Sequence, residues 1–276
     1  MPSNREAYFE AIKLGVPKPV VDFALQEVNG FNYLELTTNF ESEIKNYSLF
    51  KESINRYLNG EMIEYIFNKA YFLGSAFYVD KNVLIPRQET EQLMLETEKL
   101  IQEMFDGQLN IADVCCGSGA IGLSLNRLLP NNKYFLSDIS KDAIRVSKNN
   151  AKSFNMLTNT SFLEGDMLKP FIDANIKLDA IVCNPPYIEN IDSIDEKTFK
   201  QEPHLALLAS PNTKLYEELL KNSKRVLNDK YLIAFEIGED MKESMETLVK
   251  KYCPKDEYYF QEDIYGKTRF LFIKHR

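Results

Sequence analysis

With 276 residues, 44% of them hydrophobic and 27% charged, the chain has the balance of a globular protein with room for one large and one small domain. Its 33 basic and 41 acidic residues leave a formal charge of −8, which argues against a nucleic-acid backbone as the main partner, although a local basic patch for RNA stays open. Four cysteines without a CxxC pair and two histidines offer no zinc-binding pattern, and the lack of an apolar signal core or a bilayer-length apolar run predicts a cytoplasmic protein without membrane contact.

The first 70 residues predict a small helical domain, because apolar residues recur there at helical rather than strand spacing. The recurring positions are Tyr8, Ile12 and Leu14, then Ile44, Tyr47, Ile54, Tyr57 and Leu58, and finally Met62, Ile63 and Ile66. Asn59-Gly60 separates the last two groups, as expected of a break between helices. We interpret these apolar positions as the core of the domain.

Residues 71–87 differ in character and predict a β-hairpin that links two domains. Two short runs rich in β-branched and aromatic residues flank the stretch Val79-Asp80-Lys81-Asn82, which we interpret as the turn. The hairpin therefore marks the boundary between the helical domain and the rest of the chain.

From residue 88 to residue 276, predicted strands and helices alternate, which indicates an α/β domain with a mostly parallel sheet and helices on both faces. Strands are expected at 111–115, 133–138, 160–166, 178–183, 231–238, 257–263 and 268–274. Helices are expected at 89–105, 120–129, 140–154, 215–227 and 240–252, with Ser140 as an N-cap. Because a short turn at Tyr265-Gly266 joins the last two strands, they must pair antiparallel.

The segment 113–119 (DVCCGSG) joins the first strand of this sheet to its helix, and its part 115–119 is the glycine loop. Gly117 and Gly119 allow a ligand to approach the backbone closely, and the helix N-terminus behind them offers free N–H groups to an anionic group. A lone GxG also occurs in ordinary turns, and the dinucleotide pattern GxGxxG is absent. Asp138 strengthens the interpretation, because it ends the second strand 19 residues after Gly119, near the spacing at which an acid binds ribose hydroxyls.

Asp166 and Met167 follow the third strand of the same sheet. We expect the Asp166 carboxylate to accept a hydrogen bond from an adenine amino group and the Met167 side chain to pack on the ring. Alone, Asp166 is equally compatible with an ordinary strand end, so this interpretation depends on the glycine loop upstream.

The tetrapeptide Asn184-Pro185-Pro186-Tyr187 follows an apolar strand and is expected at the carboxyl edge of the sheet, where ligands bind in open α/β folds. Its two prolines fix φ and donate no backbone hydrogen bond, which makes the loop stiff. The Asn184 side-chain oxygen and the Pro185 carbonyl can each accept one hydrogen of a planar NH2 group, and Tyr187 can lie against the flat substrate. Such acceptors orient the nitrogen lone pair towards a methyl donor and stabilise positive charge developing on nitrogen.

With these motifs, the chain resembles the PrmC (HemK) family of protein-(glutamine-N5) methyltransferases, which modify the Gly-Gly-Gln loop of peptide chain release factors. The resemblance covers nearly the whole chain. It is carried by 84–91 (LIPRQETE), 113–121, Asp138, 165–166, 181–188, 202–207 (EPHLAL), 235–238 and 263–269. The tetrapeptide alone is shared with adenine-N6 and other amino methyltransferases, whereas 84–91 together with 202–207 is far more specific.

The resemblance implies an α/β, Rossmann-like sheet of the S-adenosylmethionine-dependent methyltransferases with a C-terminal antiparallel hairpin (88–276), the hairpin linker (71–87) and a helical N-terminal domain (1–70) that docks the protein substrate. Carried over by position, the cofactor contacts fall on Cys115, Cys116, Gly117, Ser118, Gly119, Asp138, Met167 and Asn184, and the strand-end chemistry adds Asp166. Substrate contacts fall on Asn184, Pro185, Pro186 and Tyr187, of which Asn184, Pro185 and Tyr187 are the catalytic candidates. No metal is expected.

Four positions depart from the family pattern. Gln88 replaces a proline, His204 replaces an arginine, Cys115 replaces the first glycine of the cofactor loop, and Cys116 replaces a small polar residue. Cys115 bears most on the geometry, because a residue with a side chain resists positive φ. None of the departures touches the tetrapeptide.

The leading hypothesis is methyl transfer from S-adenosyl-L-methionine to the N5 amide of the release-factor glutamine, by a protein expected to be monomeric and to make no direct contact with nucleic acid. A second hypothesis is N-methylation of a ribosomal-protein glutamine or a nucleic-acid amino group. The acidic charge and the lack of a basic helix in the N-terminal domain weigh against nucleic acid. A third is a binding module without catalysis, against which the intact tetrapeptide and Asp138 argue.

Overall fold

The computed structural model describes residues 1–276, and the chain forms two compact units, Met1–Lys69 and Ala70–Arg276. The first unit contains five α-helices: α1 (Asn4–Lys13), α2 (Lys18–Asn29), α3 (Tyr33–Thr38), α4 (Tyr47–Leu58) and α5 (Ile63–Phe67). Their apolar faces meet in a single core. At the start of α1, a capping box between Ser3 and Glu6 satisfies two backbone amides that have no intrahelical partner.

Helices α2 and α3 of the first unit were not identified from the sequence spacing, whereas α1, α4 and α5 were. Ile44 was expected within a helix and is fully buried, but it precedes α4, so this part of the prediction is wrong. The physical reason is the N-cap Asn46, whose side chain accepts a hydrogen bond from the Leu49 amide and so starts the helix at Tyr47.

The second unit begins with a short antiparallel hairpin, β1 (Ala70–Phe72) and β2 (Ser75–Phe77). The predicted turn at 79–82 is therefore wrong, because the chain reverses at Leu73-Gly74. Both residues have positive φ, 46° and 70°, as a two-residue hairpin turn with right-handed strand twist requires. The stretch 78–87 contains no strand.

A seven-stranded sheet organises the rest of the second unit. Its strands are β3 (Asn110–Val114), β4 (Lys133–Asp138), β5 (Thr160–Glu164), β6 (Leu178–Cys183), β7 (Leu227–Glu236), β8 (Glu257–Glu262) and β9 (Thr268–His275). They lie in the order β5-β4-β3-β6-β7-β9-β8, with β3 to β7 parallel and β9 antiparallel to both β7 and β8. The predicted Rossmann-like sheet with a C-terminal antiparallel hairpin is confirmed.

The second unit also contains seven α-helices. They are α6 (Gln88–Met104), α7 (Ala120–Leu128), α8 (Lys141–Ser153), α9 (Lys169–Asp173), α10 (Glu196–Gln201), α11 (Lys214–Val226) and α12 (Lys242–Tyr252). The five helices expected in this region correspond to α6, α7, α8, α11 and α12, and Ser140 caps α8 as predicted by accepting a hydrogen bond from the Ala143 amide. The short α9 between β5 and β6 was not identified.

Two hydrophobic cores lie on the two faces of the sheet, because successive side chains of a strand point to opposite faces. Ile181 and Val182 of β6, for example, are both fully buried and belong to different cores. None of the helices is both long enough and apolar enough to span a bilayer. The parallel strands end together at one edge, and the loops that leave this edge form the candidate site.

Candidate active site

Loops that follow β3, β4, β5 and β6 meet at the carboxyl edge of the sheet around a cavity of about 170 Å³. Of the residues predicted to bind cofactor or substrate, these line the cavity: Cys115, Gly117, Asp138, Asp166, Met167, Asn184 and Pro186. The remaining predicted residues do not line it: Cys116, Ser118, Gly119, Pro185 and Tyr187. The fold thus brings the glycine loop and part of the tetrapeptide to one cavity, although 65 residues or more separate them in the sequence.

The loop between β3 and α7 contains three residues with positive φ: Cys115 (61°), Gly117 (53°) and Gly119 (80°). Cys115 therefore adopts the left-handed conformation that favours glycine, at a cost of about 1 kcal/mol. A Cβ added at Gly117 would meet no heavy atom within 4 Å, so the backbone there is open to a ligand. A Cβ added at Gly119 would meet Leu136, Leu123 and Ser147 at 3.0 to 3.1 Å, so this glycine is needed for packing.

Asp138 ends β4 and accepts two backbone hydrogen bonds at its carboxylate. The Gly117 amide donates to Oδ2 and the Ser140 amide donates to Oδ1, both at 2.9 Å. Burial raises the pKa of this carboxyl, while the two amides oppose the rise. Since each carboxylate oxygen has a second lone pair, Asp138 can hold the glycine loop and still accept hydrogen bonds from ligand hydroxyls in the cavity.

Asp113 of β3 is buried behind the glycine loop. Its Oδ2 accepts a hydrogen bond of 2.8 Å from the Gly122 amide in the first turn of α7, whereas its Oδ1 has no partner in the protein. Burial raises the pKa of this carboxyl to about 7. Asp113 therefore takes one of the free N–H groups at the helix N-terminus where the sequence suggested that an anionic ligand could bind.

The loop after β5 packs against the glycine loop through two sulfur atoms. Met167 is buried and has a φ of 43°, and its Sδ lies 3.8 Å from the Cys115 Sγ. The neighbouring Asp166 is exposed at the rim of the cavity. Met167 thus offers an apolar, polarisable surface next to an exposed carboxylate, a combination that suits a flat ring with an amino group.

The tetrapeptide follows β6 and leaves two acceptors without protein partners. The Asn184 side-chain NH2 donates to Thr90 Oγ1 at 3.3 Å, and the Thr90 hydroxyl donates to Glu236 Oε2 at 2.6 Å. No donor of the protein contacts Asn184 Oδ1, and no backbone amide donates to the Pro185 carbonyl. These are the two oxygens that the sequence suggested as acceptors for an NH2 group.

Tyr187 does not line the cavity itself but follows Pro186, which does. Its hydroxyl is 3.4 Å from Glu236 Oε1, and its ring packs against the hydrophobic core of one sheet face. Burial raises the pKa of the Tyr187 phenol, so the hydroxyl stays protonated. Tyr187 and Thr90 therefore approach the two oxygens of the same buried carboxylate.

Three residues near the site received no role from the sequence: Thr90, Glu236 and Glu202. Glu202 Oε2 lies 2.5 Å from Arg87 Nη2, and Glu202 Oε1 accepts a hydrogen bond of 3.3 Å from the Ile85 amide. The segments 84–91 and 202–207, which carried the family resemblance, therefore contact each other. Arg87 and Glu202 carry opposite charges, but they lie 115 residues apart, so the sequence alone gives no reason to pair them.

Two departures from the family pattern have simple structural settings. Gln88 is the first residue of α6, where proline is favoured because the amide at this position needs no intrahelical partner, so glutamine is tolerated. His204 stacks on the Phe199 ring at a centroid distance of 4.2 Å, and its Nε2 lies 2.8 Å from the Phe199 carbonyl oxygen. Neither side chain lines the cavity.

The geometry is suited to a ligand with hydroxyls and a flat ring next to a substrate with an NH2 group. Asp138 supplies a carboxylate for hydroxyls, Met167 supplies an apolar contact for a ring, and Asn184 supplies an oxygen for an N–H group. No group of three or more His, Cys, Asp or Glu side chains could hold a metal ion.

The sequence is similar to a described domain family and to named enzymes. Residues 91–205 match the family described as the Methyltransferase small domain. The chain is 34% identical to a release factor glutamine methyltransferase of Mycoplasma mycoides subsp. mycoides, over 95% of this chain and 94% of that protein. It is 36% identical to the release factor glutamine methyltransferase of Bacillus subtilis, over 80% of this chain and 78% of that protein.

Solved structures share the fold at low sequence identity. A methyltransferase from Pyrococcus furiosus gives a TM-score of 0.52 at 12% identity and covers 82% of this chain and 98% of that one. A putative methyltransferase complexed with SAH gives a TM-score of 0.54 at 12% identity and covers 73% of this chain and 54% of that one. At this identity the similarity concerns the fold alone.

Proposed function

Because the chain belongs to the release factor glutamine methyltransferase family, we propose that it transfers a methyl group from S-adenosyl-L-methionine to the N5 amide of the glutamine in the Gly-Gly-Gln motif of peptide chain release factors. The observation that carries the proposal is the position of Asn184. It lines the same cavity as Asp138 and has its side-chain oxygen free. A donor held at Asp138 and a planar amide held at Asn184 would meet in this cavity.

The residues at the cavity fit S-adenosyl-L-methionine. Asp138 would accept the ribose hydroxyls, and the open backbone at Gly117 would lie against the ligand. Met167 would pack on the adenine ring, and the exposed Asp166 would accept from its amino group. When bound, this cofactor supplies a methyl group on a positively charged sulfur that needs no further activation.

Asn184 and Pro185 would prepare the substrate nitrogen. An amide nitrogen is a poor nucleophile because its lone pair is delocalised into the carbonyl group. Asn184 Oδ1 and the Pro185 carbonyl would each accept one N–H, which fixes the orientation of the nitrogen and stabilises the positive charge that develops there. No base is required before transfer, since the nitrogen can lose a proton afterwards.

The remaining features of the proposal concern partners and place. We place the reaction in the cytoplasm, where release factors act, and assign docking of the protein substrate to the helical unit Met1–Lys69. The formal charge of −8 favours a protein substrate over nucleic acid. We expect a monomer.

The proposal is tested by incubating the purified protein with labelled S-adenosyl-L-methionine and intact release factors, and by locating the label with mass spectrometry. We expect one methyl group on the side chain of the Gly-Gly-Gln glutamine. A release factor with asparagine in place of that glutamine is the matched control and should stay unlabelled. Absence of label on the wild-type factor, with cofactor binding verified by calorimetry, would refute the substrate assignment, and labelling of tRNA or ribosomal proteins instead would favour the alternative substrates.

A further inference from the structure

The buried carboxylate of Glu236 is linked to Asn184 by two consecutive hydrogen bonds, with the Thr90 hydroxyl between them. Glu236, the last residue of β7, is only 4% exposed. Its Oε2 accepts the hydroxyl hydrogen of Thr90 at 2.6 Å, and Thr90 Oγ1 accepts from the Asn184 NH2 at 3.3 Å. Thr90 belongs to α6, Glu236 belongs to β7, and Asn184 follows β6. The three hydrogen-bonded residues therefore come from three separate parts of the fold.

The chain of hydrogen bonds has a direction. Thr90 has a single hydroxyl hydrogen, and the 2.6 Å hydrogen bond to Glu236 Oε2 uses it. The Thr90 oxygen can then only accept, so the Asn184 amide must face it with its NH2 group. The inverted amide would place Asn184 Oδ1 against the lone pairs of Thr90 and leave the NH2 group facing the substrate.

We propose that Thr90 and Glu236 are positioning residues, which hold the Asn184 side chain in the one orientation that presents Oδ1, an acceptor, to the substrate nitrogen. This inference rests on the proposed function of Asn184 as the acceptor for the glutamine amide. If the Asn184 amide were inverted, its NH2 group would face the NH2 group of the substrate, and the substrate would lose one of its two hydrogen-bond acceptors. Burial raises the pKa of the Glu236 carboxyl, while the hydrogen bonds from Thr90 and Asn184 oppose the rise. Consecutive hydrogen bonds also polarise one another, here in the sense that favours positive charge on the substrate nitrogen.

Tyr187 links the tetrapeptide to the same carboxylate from the other side, with its hydroxyl 3.4 Å from Glu236 Oε1. The Tyr216 hydroxyl donates to the Glu236 backbone carbonyl at 2.7 Å and fixes the end of β7. Glu236 is therefore held both at its backbone and at its side chain. A rigid carboxylate at this place is what a positioning role requires, because the orientation of Asn184 can be no better defined than that of its partners.

The test compares Thr90→Val, Thr90→Ser and Thr97→Val. Valine matches threonine in shape and removes the hydroxyl, and serine keeps the hydroxyl. Thr97 is the matched control, because it lies on the same helix α6, is fully buried, and donates only to the Leu93 carbonyl at 2.7 Å. Removing a direct transition-state donor costs about 10²- to 10³-fold in rate. For the indirect Thr90 we expect kcat to fall roughly 10- to 100-fold in Thr90→Val, with the cofactor Kd within about threefold of wild type.

Rescue distinguishes positioning from a loss of fold. Thr90→Ser should return kcat to within about threefold of wild type, and Thr97→Val should leave kcat unchanged. Glu236→Gln should lower kcat about tenfold, since its amide can donate to Thr90 and free the Thr90 hydrogen to face Asn184. Equal kcat values in Thr90→Val and Thr97→Val would overturn the proposal.

A second measurement does not need a substrate. The side-chain NH2 signal of Asn184 can be assigned in a ¹⁵N–¹H spectrum by its loss in Asn184→Ala. We expect that signal to shift in Thr90→Val, to return in Thr90→Ser and to stay in place in Thr97→Val. The two proposals can fail separately. If the wild-type protein methylated no release factor while the Asn184 signal responded as expected, the proposed function would be refuted, but the hydrogen bonds from Asn184 through Thr90 to Glu236 would be supported. If the Asn184 NH2 signal did not change in Thr90→Val, the proposed hydrogen bond between Asn184 and Thr90 would be refuted.

Discussion

Asp138 Oδ2 lies 2.9 Å from the backbone nitrogen of Gly117 and accepts its hydrogen, so the carboxylate that ends β4 fixes the shape of the glycine loop. Its other oxygen accepts the Ser140 amide in the same way. The carboxylate thus joins two segments that both line the cavity. A change at Asp138 would affect a ligand twice, through lost contacts with its hydroxyls and through a looser loop.

We therefore expect Asp138→Ala to weaken binding of S-adenosyl-L-methionine. A hydrogen bond to a charged group contributes about 1.5 to 3 kcal/mol, which corresponds to a roughly 10- to 100-fold rise in Kd. Isothermal titration calorimetry measures the change directly. Asp142→Ala is the control, because Asp142 is an exposed carboxylate at the start of α8 that does not line the cavity. Equal Kd values for the two variants would contradict the role of Asp138.

The two glycines of the cofactor loop should differ when replaced by alanine. Both have positive φ, so each substitution costs about 1 to 2 kcal/mol in backbone strain. At Gly119 the new Cβ would also meet three side chains at 3.0 to 3.1 Å, whereas at Gly117 it would meet open space. We expect Gly119→Ala to lower the free energy of unfolding more than Gly117→Ala, as measured by urea denaturation. The reverse order would show that the loop conformation differs from the one described.

Much of the fold was predictable because it depends on local patterns. The strand 178–183 and the helix after Ser140 follow from an apolar run and an N-cap, which are readable without knowledge of the rest of the chain. The hairpin turn was misplaced for a related reason. Polar residues at 79–82 are the stronger turn signal in sequence, but the actual turn residue Leu73 takes a positive φ that its side chain disfavours.

The candidate site was predictable only in part. Asn184 and Asp138 belong to motifs whose chemistry can be argued from residue type and spacing. Thr90 and Glu236 lie 146 residues apart, and only the fold places the Thr90 hydroxyl 2.6 Å from the carboxylate. A single threonine on a helix and a single glutamate at a strand end have many ordinary explanations, so no local pattern identifies them as partners.

Asn184→Ala should affect catalysis far more than cofactor binding. The variant loses Oδ1, an acceptor for the substrate nitrogen, and a lost transition-state partner of this kind costs about 3 kcal/mol, or roughly 10²-fold in kcat. Single-turnover methylation of the release factor measures the loss, and calorimetry measures the cofactor Kd. Asn190→Ala, an exposed position in the same loop, is the control. Wild-type turnover in Asn184→Ala would refute the acceptor role.

Asp113 should make the stability of the protein depend on pH. Burial raises the pKa of its carboxyl from an ordinary value of 3.8 to about 7, so between these values the unfolded chain is ionised while the folded protein keeps the proton. Folding then takes up a proton, and the contribution of this group to the free energy of unfolding is fully present below pH 3.8 and is lost as the pH rises towards 7.

Asp113→Asn removes the titration but keeps an oxygen that can accept the Gly122 amide. The free energy of unfolding of Asp113→Asn, minus that of the wild type, should therefore rise between pH 4.5 and pH 8 by an amount on the order of a few kcal/mol. Urea denaturation across this range measures the difference. Asp138 and Glu236, whose carboxyl pKa values are also raised by burial, are present in both proteins, so their titration largely cancels in the difference. Parallel pH profiles for the two proteins would mean that Asp113 is ionised in the folded state throughout this range. In that case Asp113 Oδ1, which has no hydrogen-bond partner in the protein, would have to be stabilised by something other than protonation.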